Sequence, residues 1–131
     1  MLHGRRVQDV MGNEKAMVAW SDTADAALGR MRGLGRERLA VIDPYGVIGI
    51  CERSVLMDLE QRGSWLGSLA VADLARRGPF WCRVDDPLEK VEATMDRLRT
   101  DVLGVVDRRG RVIGTIDRNQ LRAALEGELK H

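Results

Sequence analysis

Histidine is nearly absent from this chain. Its 131 residues include two, His3 and His131, one near each end. With none between, a Ser-His-Asp or Cys-His arrangement lacks its base unless a tail folds back, and a His-rich zinc site lacks ligands. Cysteine is as scarce. Cys51 and Cys82 stand singly, with no C-x-x-C spacing, and read as buried reduced thiols rather than a redox pair. An excess of one charge is missing too: 21 Lys and Arg face 20 Asp and Glu, a net charge of +1. That balance gives no global reason to expect nucleic acid or an acidic membrane as partner. No apolar run approaches the ~20 residues that span a bilayer. No Walker-type loop occurs, since the glycines are spread over turns. The opening Met1 to Arg6 leads into no apolar stretch, so we expect no secretory signal and a cytoplasmic protein. Nothing nominates a catalytic pair of acids, and the expectation is that the chain is not an enzyme.

What is present is an ordinary globular composition, 44% hydrophobic and 31% charged, and a repeat. Shifted by 64 residues, Val7 falls on Val71, Asp9 on Asp73, Asp22 on Asp86 and Met31 on Met95. Leu39, Val41, Asp43 and Gly46 fall on Leu103, Val105, Asp107 and Gly110. One extra residue in the second turn makes the shift 65, and Ile48, Gly49, Arg53 and Leu56 meet Ile113, Gly114, Arg118 and Leu121. Units of about 60 residues bury too little surface alone, so the two should pack on each other with clefts at the seam. The spacing divides the chain into residues 1–62 and 63–131.

Each unit reads as a short helix, strand, helix, strand, turn, strand and helix. In the first, Arg5 to Met11 is the leading helix and Met17 to Trp20 a strand. Asp22 suits the cap of a helix whose apolar face is Ala24, Ala27, Leu28 and Met31. Leu39 to Ile42 is a strand, Asp43-Pro44-Tyr45-Gly46 a turn, Val47 to Cys51 a strand, and a helix follows to about Glu60. In the second unit Ser68 suits the cap of a leading helix ending at Arg77-Gly78-Pro79. Phe80 to Val84 is a strand. Asp86-Pro87-Leu88-Glu89 opens a helix with Leu88, Val91, Met95 and Leu98 on one face. A hairpin over Val102 to Ile116 and a helix ending at Gly127 complete it.

This order resembles the cystathionine-β-synthase (CBS) domain, and the tandem resembles its paired form, the Bateman module. The strings that carry the likeness are Val7-Gln8-Asp9-Val10-Met11, Arg38 to Asp43, Leu103 to Asp107, and Gly110 to Gly114 with the helix after Asp117. The resemblance implies an α/β (α+β) fold of two β-α-β-β-α units with pseudo-twofold symmetry, here standing alone. It implies a regulatory module that senses a small molecule, often an adenosine-containing ligand such as AMP, ATP or S-adenosylmethionine. It also implies a homodimer and a regulated protein partner that the sequence does not name. The alternative is a degenerate pair serving as a dimerisation or partner-docking scaffold.

In nucleotide-binding relatives the last strand enters the final helix through Gly-x-x-Thr/Ser-x-x-Asp, the hydroxyl near ribose and phosphate and the Asp on the ribose. Here the first unit has Gly49, Ile50, Glu52 and Val55; Glu52 replaces the hydroxyl and Val55 the Asp. The second has Gly114, Thr115, Asp117 and Gln120; Asp117 replaces the hydroxyl and Gln120 the Asp. Val55 offers no acceptor, whereas Gln120 does. A carboxylate ~4 Å from a phosphate repels it by ~1–4 kcal/mol, and both carboxylates also suit helix caps. Arg38, just before the middle strand, matches the family's phosphate-contacting base, and also suits a solvated strand end. The candidate site is therefore Arg38, Ile50, Glu52 and Val55 in one cleft and Thr115, Asp117 and Gln120 in the other, with weak binding expected. Trp81 is a candidate for stacking, core or a dimer contact, Trp65 for the seam, and Arg108, Arg109, Arg111 and Arg118 for a basic patch. Met31, Met57 and Met95 are candidate dimer contacts, beside the helices starting at Thr23 and Pro87 and those ending the units.

Overall fold

The computed structural model of the chain describes residues 5–12 and 15–129, with side chains through 127; His3 and His131 lie outside the described residues. The elements are α1 (Val7–Val10), β1 (Met17–Ala19), α2 (Ala24–Leu34), β2 (Arg38–Asp43), β3 (Gly46–Glu52) and α3 (Arg53–Gln61). After a 3-10 turn at Leu66–Ser68 come α4 (Val71–Leu74), β4 (Arg76–Arg77), β5 (Trp81–Arg83), α5 (Leu88–Leu98), β6 (Val102–Val106), β7 (Val112–Asp117) and α6 (Arg118–Leu129). One sheet has the order β1-β2-β3-β4 and the other β5-β6-β7.

The repeat in the sequence is a repeat in register. Met17 pairs in parallel with Ala40, as Trp81 does with Gly104. Leu39 lies opposite Cys51 in the first antiparallel pair, and Leu103 opposite Ile116 in the second. Both ladders slip at matched places, Val41/Ile42 and Val105/Val106. Leu39 and Leu103 are fully buried on the middle strands, as the alignment of the halves requires.

The halves also exchange bonds. The Val7 amide donates to the Asp86 carbonyl at 3.1 Å, and the matched Val71 amide donates to Asp22 at 2.9 Å. The Gln8 amide donates to Val84, and Ala72 to Trp20. Each leading helix thus seats on the first strand and main-helix entry of the opposite unit, which is pseudo-twofold packing. A single apolar core follows, with α2 contributing Ala24, Ala27, Leu28 and Met31 and α5 contributing Leu88, Val91 and Met95. Helical spacing puts these residues on one stripe, and the sheets give that stripe something to bury against.

Several local expectations are corrected. The first leading helix is Val7–Val10. The cap of α2 is Thr23, whose hydroxyl accepts the Ala26 amide at 3.1 Å; Asp22 instead accepts the amide of Ala19. Asp86 likewise turns back to accept the Arg83 amide at 2.9 Å, and α5 begins after Pro87. Ser68 caps nothing: its hydroxyl donates to the Trp65 carbonyl, and α4 ends at Leu74. The residues beyond it, Arg76–Arg77, form β4 because β3 offers a free edge there. Gly127 lies inside α6 rather than ending it. Met31 and Met95 are core residues and so do not face a partner, and Trp65 is 77% exposed rather than filling the seam.

Two backbone features shape the seam. The main helices both end in a left-handed residue, Gly35 (φ 66°) and, at the matched position, Arg99 (φ 52°). In each the following amide returns to a methionine carbonyl, Met31 or Met95, in a Schellman-type end. Gly49 lies so close to β4 that a Cβ there would stand 2.5 Å from the Arg76 carbonyl oxygen.

Candidate functional site: two arginine-filled clefts

The starts of β2 and β6 and the ends of β3 and β7 meet at one end of the seam. Corresponding bonds hold both helix entries there: the Arg53 amide donates to Glu37 and the Arg118 amide to Asp101. Around this frame the side chains differ between the halves.

In the first cleft Glu52 is not a cap. Its side chain makes no capping bond to α3. One carboxylate oxygen takes Arg38 Nε at 3.2 Å and the other takes Arg76 Nε at 2.9 Å. Arg76 further donates to the carbonyls of Leu98 (2.9 Å) and Arg99 (3.0 Å), and its guanidinium lies 4.8 Å from the centre of the Phe80 ring. A helix C-terminus is a natural seat for such a cation, because its last carbonyls lack amide partners. Arg38 reaches a second carboxylate, Asp101, at 3.4 Å. The Glu52 carboxylate therefore sits between two guanidiniums. Beside it lies a groove of roughly 340 Å³ bordered by Arg38, Arg99, Thr100, Asp101 and Arg118. Ile50 is not part of this lining but fully buried in the core, and Val55 is 40% exposed on α3.

In the second cleft Asp117 is a cap. Its Oδ1 accepts the Gln120 amide at 2.8 Å, and Gln120 Oε1 accepts the Asp117 amide at 2.9 Å. Its other oxygen takes Arg36 NH2 at 2.5 Å, a link from the first half to the second. Thr115 is buried, and its hydroxyl accepts the Ala16 amide at 2.9 Å, tying the segment before β1 to β7. Arg118 opens α6 and turns to the groove of the first cleft rather than to the hairpin patch, bonding Asp96 and the Thr100 carbonyl.

The geometry thus brings Arg38 together with Glu52, and Asp117 with Gln120. Sequence reasoning missed Arg76 and Arg36. Arg76 matches Gly12 in the repeat and Arg36 matches Thr100, so neither belongs to the duplicated pattern. Trp81 is 38% exposed, with the Arg83 guanidinium 5.5 Å from its ring centre, so it is not a core residue. Both thiols are buried; burial, with Glu52 nearby, pushes Cys51 up to about 11, and burial, with Asp86 nearby, pushes Cys82 up to about 12. No described helix is long and apolar enough to cross a membrane.

Residues 71–127 match the family profile of the CBS domain. Over nearly its whole length the chain also superposes on solved CBS pairs. The fold is that of a CBS domain pair. A CBS domain pair/ACT domain protein from Thermotoga maritima is 21% identical, with a TM-score of 0.81, covering 95% of this chain and 99% of that one. CBSX2 in complex with AMP, a protein of Arabidopsis thaliana, is 26% identical, with a TM-score of 0.75 and coverage of 95% and 99%. The CBS domain of a bacterial CNNM/CorC family Mg2+ transporter in complex with ATP is 17% identical, with a TM-score of 0.76 and coverage of 96% and 90%. No match was found among the curated proteins. In this chain carboxylates hold arginines in both clefts, Glu52 in the first and Asp117 in the second.

Proposed function

We propose that this CBS pair is a regulatory module, not a catalyst, that senses an adenosine-containing ligand such as AMP or ATP and holds it weakly. The observation that carries this reading is the Glu52 carboxylate between Arg38 and Arg76. The guanidiniums suit a phosphate, and the carboxylate competes with it for the same donors. Binding then requires Glu52 to release Arg38, and Val55 supplies no ribose acceptor afterwards. The site residues are Arg38, Glu52 and Val55 in the first cleft, and Asp117 and Gln120, backed by Thr115, in the second. Losing a charge-assisted ribose bond costs ~1.5–3 kcal/mol, roughly ten- to over a hundredfold in affinity.

Calorimetry with AMP and ATP on the wild type and on Glu52→Thr/Val55→Asp tests this. The expected result is weak binding by the wild type and at least about tenfold tighter binding by the variant. Low-micromolar binding by the wild type would overturn the competition argument. No gain in the variant would favour a scaffold with its clefts closed by its own side chains.

We further propose that the module works as a homodimer through the exposed faces of α2 and α5. Twofold homodimers are the commonest of soluble oligomers. A light-scattering mass of one chain at tens of micromolar would exclude it.

A further inference from the structure

Three of the chain's five aromatic residues gather at the end of the molecule opposite the clefts. Arg38 begins β2 and Asp43 ends it, and six residues of strand span about 20 Å. At the far end the two hairpin turns lie side by side. Tyr45, 93% exposed, lines two hollows there, one of roughly 460 Å³ shared with Trp20 and one of roughly 270 Å³ shared with Trp81 and Arg83. A third, of roughly 410 Å³, runs from Tyr45 to Arg109 and Arg111. Trp20 is 46% exposed. Large aromatic rings left in water next to hollows of side-chain size mark an interaction surface.

Its charge says what the partner carries. Arg83, Arg109 and Arg111 are exposed and make no ion pair among the described residues. The carboxylates of the two turns are already engaged. Asp43 accepts the amides of Tyr45 and Gly46, and Asp107 those of Arg109 and Arg111. Asp73 stands at the Trp20 edge, away from the arginines of the second turn. Aromatic rings beside guanidiniums that make no ion pair are the composition of protein-interface hot spots. A nucleic acid fits less well, because the net charge of +1 gives little long-range attraction and Arg83 already covers the Trp81 ring.

We propose that this face docks an acidic segment of a partner protein that carries one large apolar side chain. The apolar group enters a hollow beside Tyr45, and the flanking carboxylates meet Arg83, Arg109 and Arg111. The surface is separate from the clefts and stands whether or not they hold a nucleotide.

The test is selection of displayed random peptides of about twelve residues on the immobilised chain, followed by fluorescence-polarisation titration of those recovered. The expected peptides have Asp or Glu flanking one large apolar residue. Tyr45→Ala and Arg109→Glu/Arg111→Glu should each weaken them at least about tenfold, while Glu52→Thr leaves them unchanged. Circular dichroism checks that the variants fold, and Arg83→Ala carries the test if the double reversal does not. Recovery of no peptide, recovery without acidic enrichment, undiminished binding to the variants, or tighter binding of a short oligothymidylate at this face would overturn the proposal.

Discussion

Asp117 and Gln120 hold each other across the first turn of α6, each accepting the other's backbone amide at 2.8–2.9 Å. This is a capping box in which a glutamine takes the place of the usual glutamate. The residue that the resemblance nominated as a ribose acceptor is thus employed by the fold. Gln120→Ala should lower unfolding free energy by about 1 kcal/mol. Asp117→Ala should cost more, about 2–3 kcal/mol, because it also removes the ion pair that Asp117 makes with Arg36. Urea denaturation of both variants measures the difference, and equal losses would show that the Arg36 pair contributes nothing.

Arg99 occupies the left-handed position that Gly35 fills in the other half. A side chain there costs about 1 kcal/mol that glycine does not. Arg99→Gly should therefore raise the urea midpoint by an amount worth about 1 kcal/mol. The carbonyl that accepts from Arg76 is retained, so the gain should come without loss of the cleft network.

Legibility in the sequence tracked the range of the cause. The strands, the turns at Asp43 and Asp107, and the faces of α2 and α5 were readable because alternation, helical spacing and turn residues are local and occur twice. Arg38 and Glu52 were placed in one cleft by the family resemblance, since Arg38 has only Val102 at its matched position. β4 was not, since Arg76 and Arg77 become a strand only by meeting β3. Arg76 and Arg36 escaped because they themselves lie outside the duplicated pattern and meet Glu52 and Asp117 only in the fold. The assignment of Met31 and Met95 to a partner surface failed because an apolar helix stripe says that something covers it, not what.

Gly49→Ala should destabilise the chain by about 1–3 kcal/mol, since its new Cβ would meet the Arg76 carbonyl at 2.5 Å. The detachment should be local first. Amide exchange at Arg76 and Arg77 should quicken more than at Leu103, and uniform quickening would refute the assignment.

Asp107 gives the second hairpin a pH dependence. The amide of Arg111, then that of Arg109, with their positive charges, hold its carboxyl below the ordinary 3.8. A lowered folded-state value means stability that is present above the unfolded value and lost as pH falls through the folded one. Asp107→Asn should be less stable than wild type near pH 6, and the gap should close below about pH 4. A gap independent of pH between 6 and 2.5 would show that charge plays no part.

The thiols of Cys51 and Cys82, raised by burial to about 11 and 12, should react with a disulfide reagent at pH 8 only on unfolding. Thiolate is the reactive form, and it is scarce at that pH. Two fast equivalents in the absence of denaturant would contradict the buried environment.

The bonds from Val7 to Asp86 and from Val71 to Asp22 cross like clasped hands. Each half lends its leading helix and keeps the seat for the other's. A single unit with this sequence would leave those donors to water unless it found a second copy of itself. Severing the chain between residues 62 and 63 should therefore give two fragments that are poorly structured apart and that regain helix and cooperative unfolding when mixed, with equimolar complementation as their natural stoichiometry.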